Sequence, residues 1–321
     1  MSDSLETRFS AAVEPLRGAL RLHCYRMMGS SHDSDDMVQE TMLRAWRARD
    51  TLADPARLRP WLYRIATNAC LDELERRPRR VLASELRPAA DPGAAAADPL
   101  DEALWLEPMP DAWLAGAPAN DPAARYTLRE SVALAFVAAL QALTPPQRAA
   151  LLLRDVVGLS ADEAAAALGQ SVSAVNSTLH RARGAIDERV AGRDPAEFRE
   201  TPADAAALAA YVRAIAACDV DAMIALLHDD IHTTMPPSPT WIAGRAANEV
   251  FYRIMFARWQ PGEAAVVPIG ANGQHGFVFE RGGQARAVEV VELRDGLIVR
   301  MHHFMQPALL PLFAAASAGQ G

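Results

Sequence analysis

The chain contains no lysine, and all 32 of its basic residues are arginines. Such a bias follows codon composition as readily as function, so no chemistry is read from it. Cysteine is nearly absent. Cys24, Cys70 and Cys218 lie far apart without a CxxC pair, which excludes a disulfide framework and a cysteine zinc site and fits a reducing cytoplasm. All three read as core residues. No run of 18 uninterrupted apolar residues occurs, and the N-terminus has no apolar stretch of signal-peptide length, so neither membrane spanning nor secretion is expected. No His/Cys/Asp/Glu spacing suits a metal, and nothing calls for a cofactor. Excess positive charge is missing too. A net charge of −8 argues against gripping nucleic acid by bulk electrostatics and leaves only local basic patches.

What is present is length and an uneven distribution of charge. At 321 residues the chain is long enough for two or three domains. Residues 1–80 carry 14 arginines and 12 acids, residues 81–121 one arginine and eight acids, and residues 122–194 eight and seven. The acidic excess is thus concentrated in one Pro- and Ala-rich stretch, which reads as a linker with little regular structure. Its apolar islands, LWLEPMPDAWL, read as short docking segments. A further boundary is expected near Gly192. The organisation predicted is 8–80, a linker over 81–124, 125–192, and a last domain over 200–315.

The first block is helical. Across DMVQETMLRAWR, Val38, Met42, Ala45 and Trp46 fall on one face. The other face carries Asp36, Gln39, Glu40, Leu43, Arg44 and Arg47, a polar surface with one apolar anchor. In the next helix, PWLYRIATNACLDELERR, the buried face is Leu62, Ile65, Ala66, Ala69 and Leu74, while Trp61, Arg64 and Asn68 are exposed. Arg76 to Arg80 end it as a basic patch. In the third block, Ser160 to Glu163 form a capping box, and Leu168-Gly169 supplies a left-handed stop. A second helix follows from Ser171 or Ser173. This is the helix-turn-helix pattern, whose second helix enters the major groove. Ser173, Ala174, Asn176, Ser177 and Thr178 would then face base edges or sugars, and His180, Arg181 and Arg183 phosphates.

The runs LRLHCYRMMGSSHDSDDMVQETMLRAWR and RPWLYRIATNACLDELERR resemble the sigma-two domain of extracytoplasmic-function (ECF) sigma factors. LTPPQRAALLLRDVVGLSADEAAAALGQSVSAVNSTLHRAR resembles their sigma-four domain. Two such blocks in this order are more specific than either alone, and together they span roughly residues 8–190. The final 120 residues resemble a SnoaL-like α+β cone. The resemblance implies a multidomain fold: two all-α sigma domains, the second a helix-turn-helix, and a C-terminal cone.

It further implies that Asp36, Gln39, Glu40, Leu43 and Arg44 meet core RNA polymerase. Trp61, Arg64, Asn68 and Arg76 would meet the melted minus-10 element, where exposed bases can be stacked on an aromatic or bonded by an amide. The helix-turn-helix would read the minus-35 element. Many family members carry a basic residue where this chain has Asn176, and another at Thr178, so phosphate grip there should be weaker. The acidic linker fits three roles: a passive tether, a strand run through a basic polymerase channel, or a cover for the arginine patches.

From Asp204 the pattern predicts a helix to Asp230, a loop over MPPSPTWIAGR, a helix ANEVFYRIMFARW, then strands with hairpin turns at Gly282-Gly283 and Asp295-Gly296. Leu297, Val299, Met301, His303 and Met305 share a face by period two, which points His303 inward. The resembled fold holds a cavity, for which His232, Met235, Trp241, Tyr252 and His303 are the candidate lining residues. Asp229, Asp230 and His303 are the suggestive acid/base members, and no clear catalytic pair emerges. The leading expectation is a cytoplasmic, non-enzymatic initiation factor regulated by its own C-terminal domain. The alternatives are a SnoaL-like isomerase or hydrolyase fused to a DNA-binding module, and a one-component repressor.

Overall fold

The computed structural model describes residues 2–94, 97–101, 104–115, 127–189 and 201–317. Two compact units emerge, one of Met1–Arg80 with Trp113–Gly192, the other of Val81–Ala112 with Arg193–Gly321. The boundary expected near Gly192, and residues 95–96, 102–103 and 116–124 of the expected linker, lie outside the described residues.

In the first unit the helices are α1 (Ser2–Val13), α2 (Arg17–Met28), α3 (Ser31–Ala48), α4 (Leu58–Leu74), α5 (Leu134–Gln141), α6 (Pro145–Leu151), α7 (Ala161–Leu168) and α8 (Val172–Arg189). Ser30 caps α3 by accepting from the Asp33 amide. Thr144 with Gln147, and Ser160 with Glu163, build capping boxes on α6 and α7. Between α6 and α7 the chain widens into a π-helical turn, Leu152–Val156. The two helical blocks share one apolar core, running from Leu20, Met27 and Leu62 through Leu140 and Leu151 to Val175 and Ile186. Cys24 and Cys70 lie inside it, as expected, whereas Cys218 is only half-buried. A hydrogen bond with Cys24, together with burial, pushes the Cys70 thiol up, so it stays protonated and inert.

The second unit packs α9 (Pro202–Ala217), α10 (Val220–Ala225) and α11 (Arg245–Phe256) on a six-stranded sheet, with α12 (Leu310–Ser317) at its end. The strands are β1 (Leu227–Thr234), β2 (Trp241–Ala243), β3 (Ala264–Ala271), β4 (Gln274–Arg281), β5 (Gln284–Arg294) and β6 (Leu297–Phe304), in the order β2-β1-β6-β5-β4-β3. Among these six strands β1 and β6 pair in parallel and the other neighbours antiparallel. Both expected hairpin turns are present, with positive φ at Gly282, Gly283, Asp295 and Gly296. A third, at Asn272-Gly273, was not expected. The expected helix to Asp230 is too long: α9 ends at Ala217 and the chain enters β1 at Leu227, where pairing with β6 overrides local helix preference. Likewise β2 forms inside the expected loop.

Residues 81–112 carry little regular structure, as their composition suggested, yet their described residues are bound to the second unit at several points. At one sheet edge Ala90 N–H donates to the Trp241 carbonyl (2.8 Å), and the Trp241 indole donates to the Arg87 carbonyl (2.7 Å). Leu100 N–H donates to the Pro237 carbonyl (2.9 Å). At the opposite edge Met109 N–H and the Asn272 side chain meet at 3.0 Å, the Asn272 amide returns to the Met109 carbonyl at 2.9 Å, and Gly273 N–H donates to Asp111 (2.6 Å). Trp105, Leu106 and Met109, from the islands read as docking segments, are buried. This segment is therefore a strap tied to both sheet edges, which also covers edges that would otherwise invite foreign strands.

Candidate functional site

On α3 the polar face stands as its periodicity predicts. Asp36, Gln39 and Arg47 are exposed, and Leu43 is 52% exposed, an apolar side chain with no core to enter. Glu40 and Arg44 are half-buried: the Arg44 guanidinium bonds both Glu40 (2.6 Å) and Asp72 of α4 (2.6 Å), which raises its pKa further. The face thus combines an exposed acid, an amide, an arginine and a leucine beside a fixed ion triad.

Along α4, Arg64 and Asn68 are exposed as expected, whereas Trp61 is half-buried against the core and its indole donates to Thr51 Oγ1 at 3.3 Å. Ile65 and Leu74 are half-buried rather than buried. The basic patch is smaller than the sequence suggested. Arg76 is 75% exposed, but Arg80 is buried against Asp33 (2.6 Å) and Arg77 is bound by Asp33 and Glu73 (2.5 Å each). Asp33, at the start of α3, gathers the two arginines that follow the C-terminal end of α4.

The helix-turn-helix is built by local chemistry. Ser160 starts α7, Gly169 stops it at φ 64°, and Ser171 accepts from the Ala174 amide to start α8. Buried Val175, Leu179, Ala182 and Ile186 fix the orientation of α8. The opposite face presents Ser173, Ala174, Asn176, Ser177, His180 and Arg181, with Thr178 half-buried. Arg183 departs from the expectation of a phosphate contact. Its guanidinium is locked bidentately on Asp155 (2.8 and 2.5 Å), whose side chain is only 3% exposed. The π-helical turn supplies that acid, and nothing in the α8 sequence signals it.

In the second unit a cavity of about 480 Å³ opens between the sheet and α11. Met235, Tyr252 and His303 line it as expected. His232 and Trp241 do not. They pack on each other at 5.2 Å between ring centroids, near the edge that the strap covers, and Arg300 donates to His232 Nδ1 at 2.9 Å. Burial and the Arg300 charge lower the His232 pKa, so the ring is held neutral. Asp229 and Asp230 are likewise misplaced by the sequence reading, being 87% and 82% exposed.

The partner of His303 is Glu289, which sequence reasoning missed. His303 Nδ1 lies 2.8 Å from Glu289 Oε1, and the Tyr211 hydroxyl donates to Oε2 at 2.6 Å. Glu289 is 1% exposed. Burial and that carboxylate push the Tyr211 hydroxyl well up, so it remains a donor. The walls are apolar: Phe251, Met255, Trp259, Phe279 and Met305, with Arg281 and Arg286 also lining. Among the described residues no cluster suits a metal ion.

Comparison with known proteins matches sigma-70 region 2 at residues 12–80, sigma-70 region 4 at residues 133–186 and a SnoaL-like domain at residues 208–301. The chain is 41% identical to the ECF RNA polymerase sigma factor SigG of Mycobacterium tuberculosis, over 97% of this chain and 85% of that one. It is 28% identical to SigJ of the same organism, over 92% and 90%. The crystal structure of SigJ shares the fold, with a TM-score of 0.59 at 24% identity, covering 96% of this chain and 98% of that one. These relatives are initiation factors rather than enzymes. Helical blocks with an exposed polar-and-leucine face and a capped helix-turn-helix, matched along nearly the whole sequence, place the chain in the extracytoplasmic-function family of RNA polymerase sigma factors.

Proposed function

We propose that this sigma factor docks on core RNA polymerase through Asp36, Gln39, Glu40, Leu43 and Arg44. Trp61, Arg64, Asn68 and Arg76 engage the opened minus-10 element, and Ser173, Asn176, Ser177, Thr178, His180 and Arg181 engage the minus-35 element. Arg183 serves instead to brace α8 against Asp155. The C-terminal unit acts as the intramolecular regulator through the strap, and the protein works in the cytoplasm, where the polymerase is. Among the described residues no helix is long and apolar enough to cross a membrane.

Leu43 carries the reading. A half-exposed leucine ringed by charge gains nothing from folding and is positioned to desolvate against a partner. Leu43→Asp is expected to leave the melting temperature within about 1 °C, because surface changes cost little. Co-purification with core polymerase should be lost, together with run-off transcription from the region upstream of this protein's own gene. Retention of polymerase by a folded Leu43→Asp chain would remove the docking assignment.

A further inference from the structure

In the first unit, where the two helical blocks meet, a hollow of about 350 Å³ lies between the end of α4 and the start of α6. Arg77, Arg79, Arg80 and Arg148 line it, and Asp33 is the one carboxylate among its lining residues. That carboxylate is already engaged, by Arg77 at 2.5 Å and by Arg80 at 2.6 Å. Arg148 is 3% exposed and has neutral acceptors: the Met27, Gln141 and Leu143 carbonyls and Gln141 Oε1. Its Nε–H is buried without a partner among the described residues. Burial, and after it the charge of nearby Arg79, lowers the Arg148 pKa to about 9, so two cations face each other at neutral pH. A buried cation without a counter-ion costs free energy, part of which an anion in the hollow would return.

We propose that this hollow binds a small oxyanion of the phosphate class, carrying two or more charges, between Arg79 of the first helical block and Arg148 of the second. The charge count sets the class. The lining residues carry an excess of three positive charges, four arginines against Asp33. Glu73, which holds Arg77 at 2.5 Å without lining the hollow, leaves two. A single halide would balance only half of that. Guanidinium groups take phosphate oxygens in pairs, and the volume admits a diphosphate, free or as the end of a nucleotide. Such a ligand ties the chain after α4 to α6 and so staples the two blocks together. The proposal stands apart from the polymerase and promoter assignments, which use none of these arginines.

The test titrates inorganic diphosphate into the full-length chain by calorimetry at fixed ionic strength, so that general screening is constant. One site per chain is expected, with a dissociation constant of roughly 10–100 μM, reasonable for a ligand of this size. Arg79→Gln, at an exposed position, should weaken binding about tenfold through loss of a charge-assisted contact. Arg148→Gln should weaken it at least as much and serves as the second variant. Arg17→Gln removes the same charge from α2 outside the hollow and should leave binding within about twofold, as surface changes do. Saturating diphosphate should also raise the melting temperature of the wild type and not that of Arg79→Gln. ADP distinguishes the sources: affinity equal to that of diphosphate supports a nucleotide end, and much weaker binding supports the free oxyanion. Absence of saturable diphosphate binding, full affinity in folded Arg79→Gln, or equal weakening by Arg17→Gln would each overturn the proposal.

Discussion

Single residues set two measurable properties of the helical unit. His23 is buried, hydrogen-bonded to Thr67 Oγ1 at 2.9 Å, and its pKa falls to about 3 because burial and the neighbouring Arg26 both oppose its charge. The folded value lies below the ordinary 6.5, so the contribution is complete above pH 6.5 and is lost as pH falls toward 3. Each pH unit in that window costs about 1.4 kcal/mol. Denaturant unfolding at pH 5 should thus show about 2 kcal/mol less stability than at pH 6.5 from this group. His23→Gln should shrink that difference, and an unchanged difference would refute the assignment. The second property separates two arginines of α8 that look alike in sequence. Arg183→Ala strands the buried Asp155 and should cost about 2 kcal/mol, moderated because the guanidinium is partly solvated. Arg181→Ala should leave melting unchanged and lower the salt slope of DNA binding by about one.

At the scale of elements, what was legible in the sequence was what local chemistry determines. The polar face of α3 and the capping of α7 follow from period and from caps within four residues, and both stand in the structure. The cavity was half legible. Counting back from the Asp295-Gly296 turn pairs Arg294 with Leu297 and Leu293 with Ile298, and the same count sets Glu289 opposite His302. A bulge between Glu292 and Leu293 shifts the register by one, so Glu289 meets His303 instead. Nothing local announces that bulge. The strap was hidden for a different reason. Its ties run through backbone groups and single side chains to residues some 150 positions away, which composition does not encode. Gly270 tests how it is held, because a Cβ there would stand 2.6 Å from the Asp111 carboxylate. Gly270→Ala should loosen the strap and speed its cleavage under limited proteolysis several-fold. Gly184→Ala, where a Cβ meets nothing, should leave cleavage as it was.

On the scale of the molecule, the seam between the two helical blocks is unusually polar for a shared core. Arg148 bonds the Met27 carbonyl and Gln141 Oε1, Gln141 returns to the Arg26 carbonyl, and Arg26 holds Ser131. Burial lowers Arg148 to about 9 and Arg26 to about 10, with no carboxylate among these partners. Rehydrating two such cations offsets apolar surface exposed when the blocks part, which suits a protein whose two DNA-reading elements serve different promoter positions. The strap carries a consequence for how such a molecule is dissected. The chain changes unit at Arg80, at Ala112 and again at Gly192. Stopping translation after Gly192 is therefore not a subtraction of one domain. It leaves Trp105, Leu106 and Met109 stripped of the surface that buries them, an adhesive ribbon between two working halves. A clean excision takes residues 81–112 as well and replaces them with a polar spacer. Otherwise a gain or loss of transcription reports the wound as much as the missing regulator.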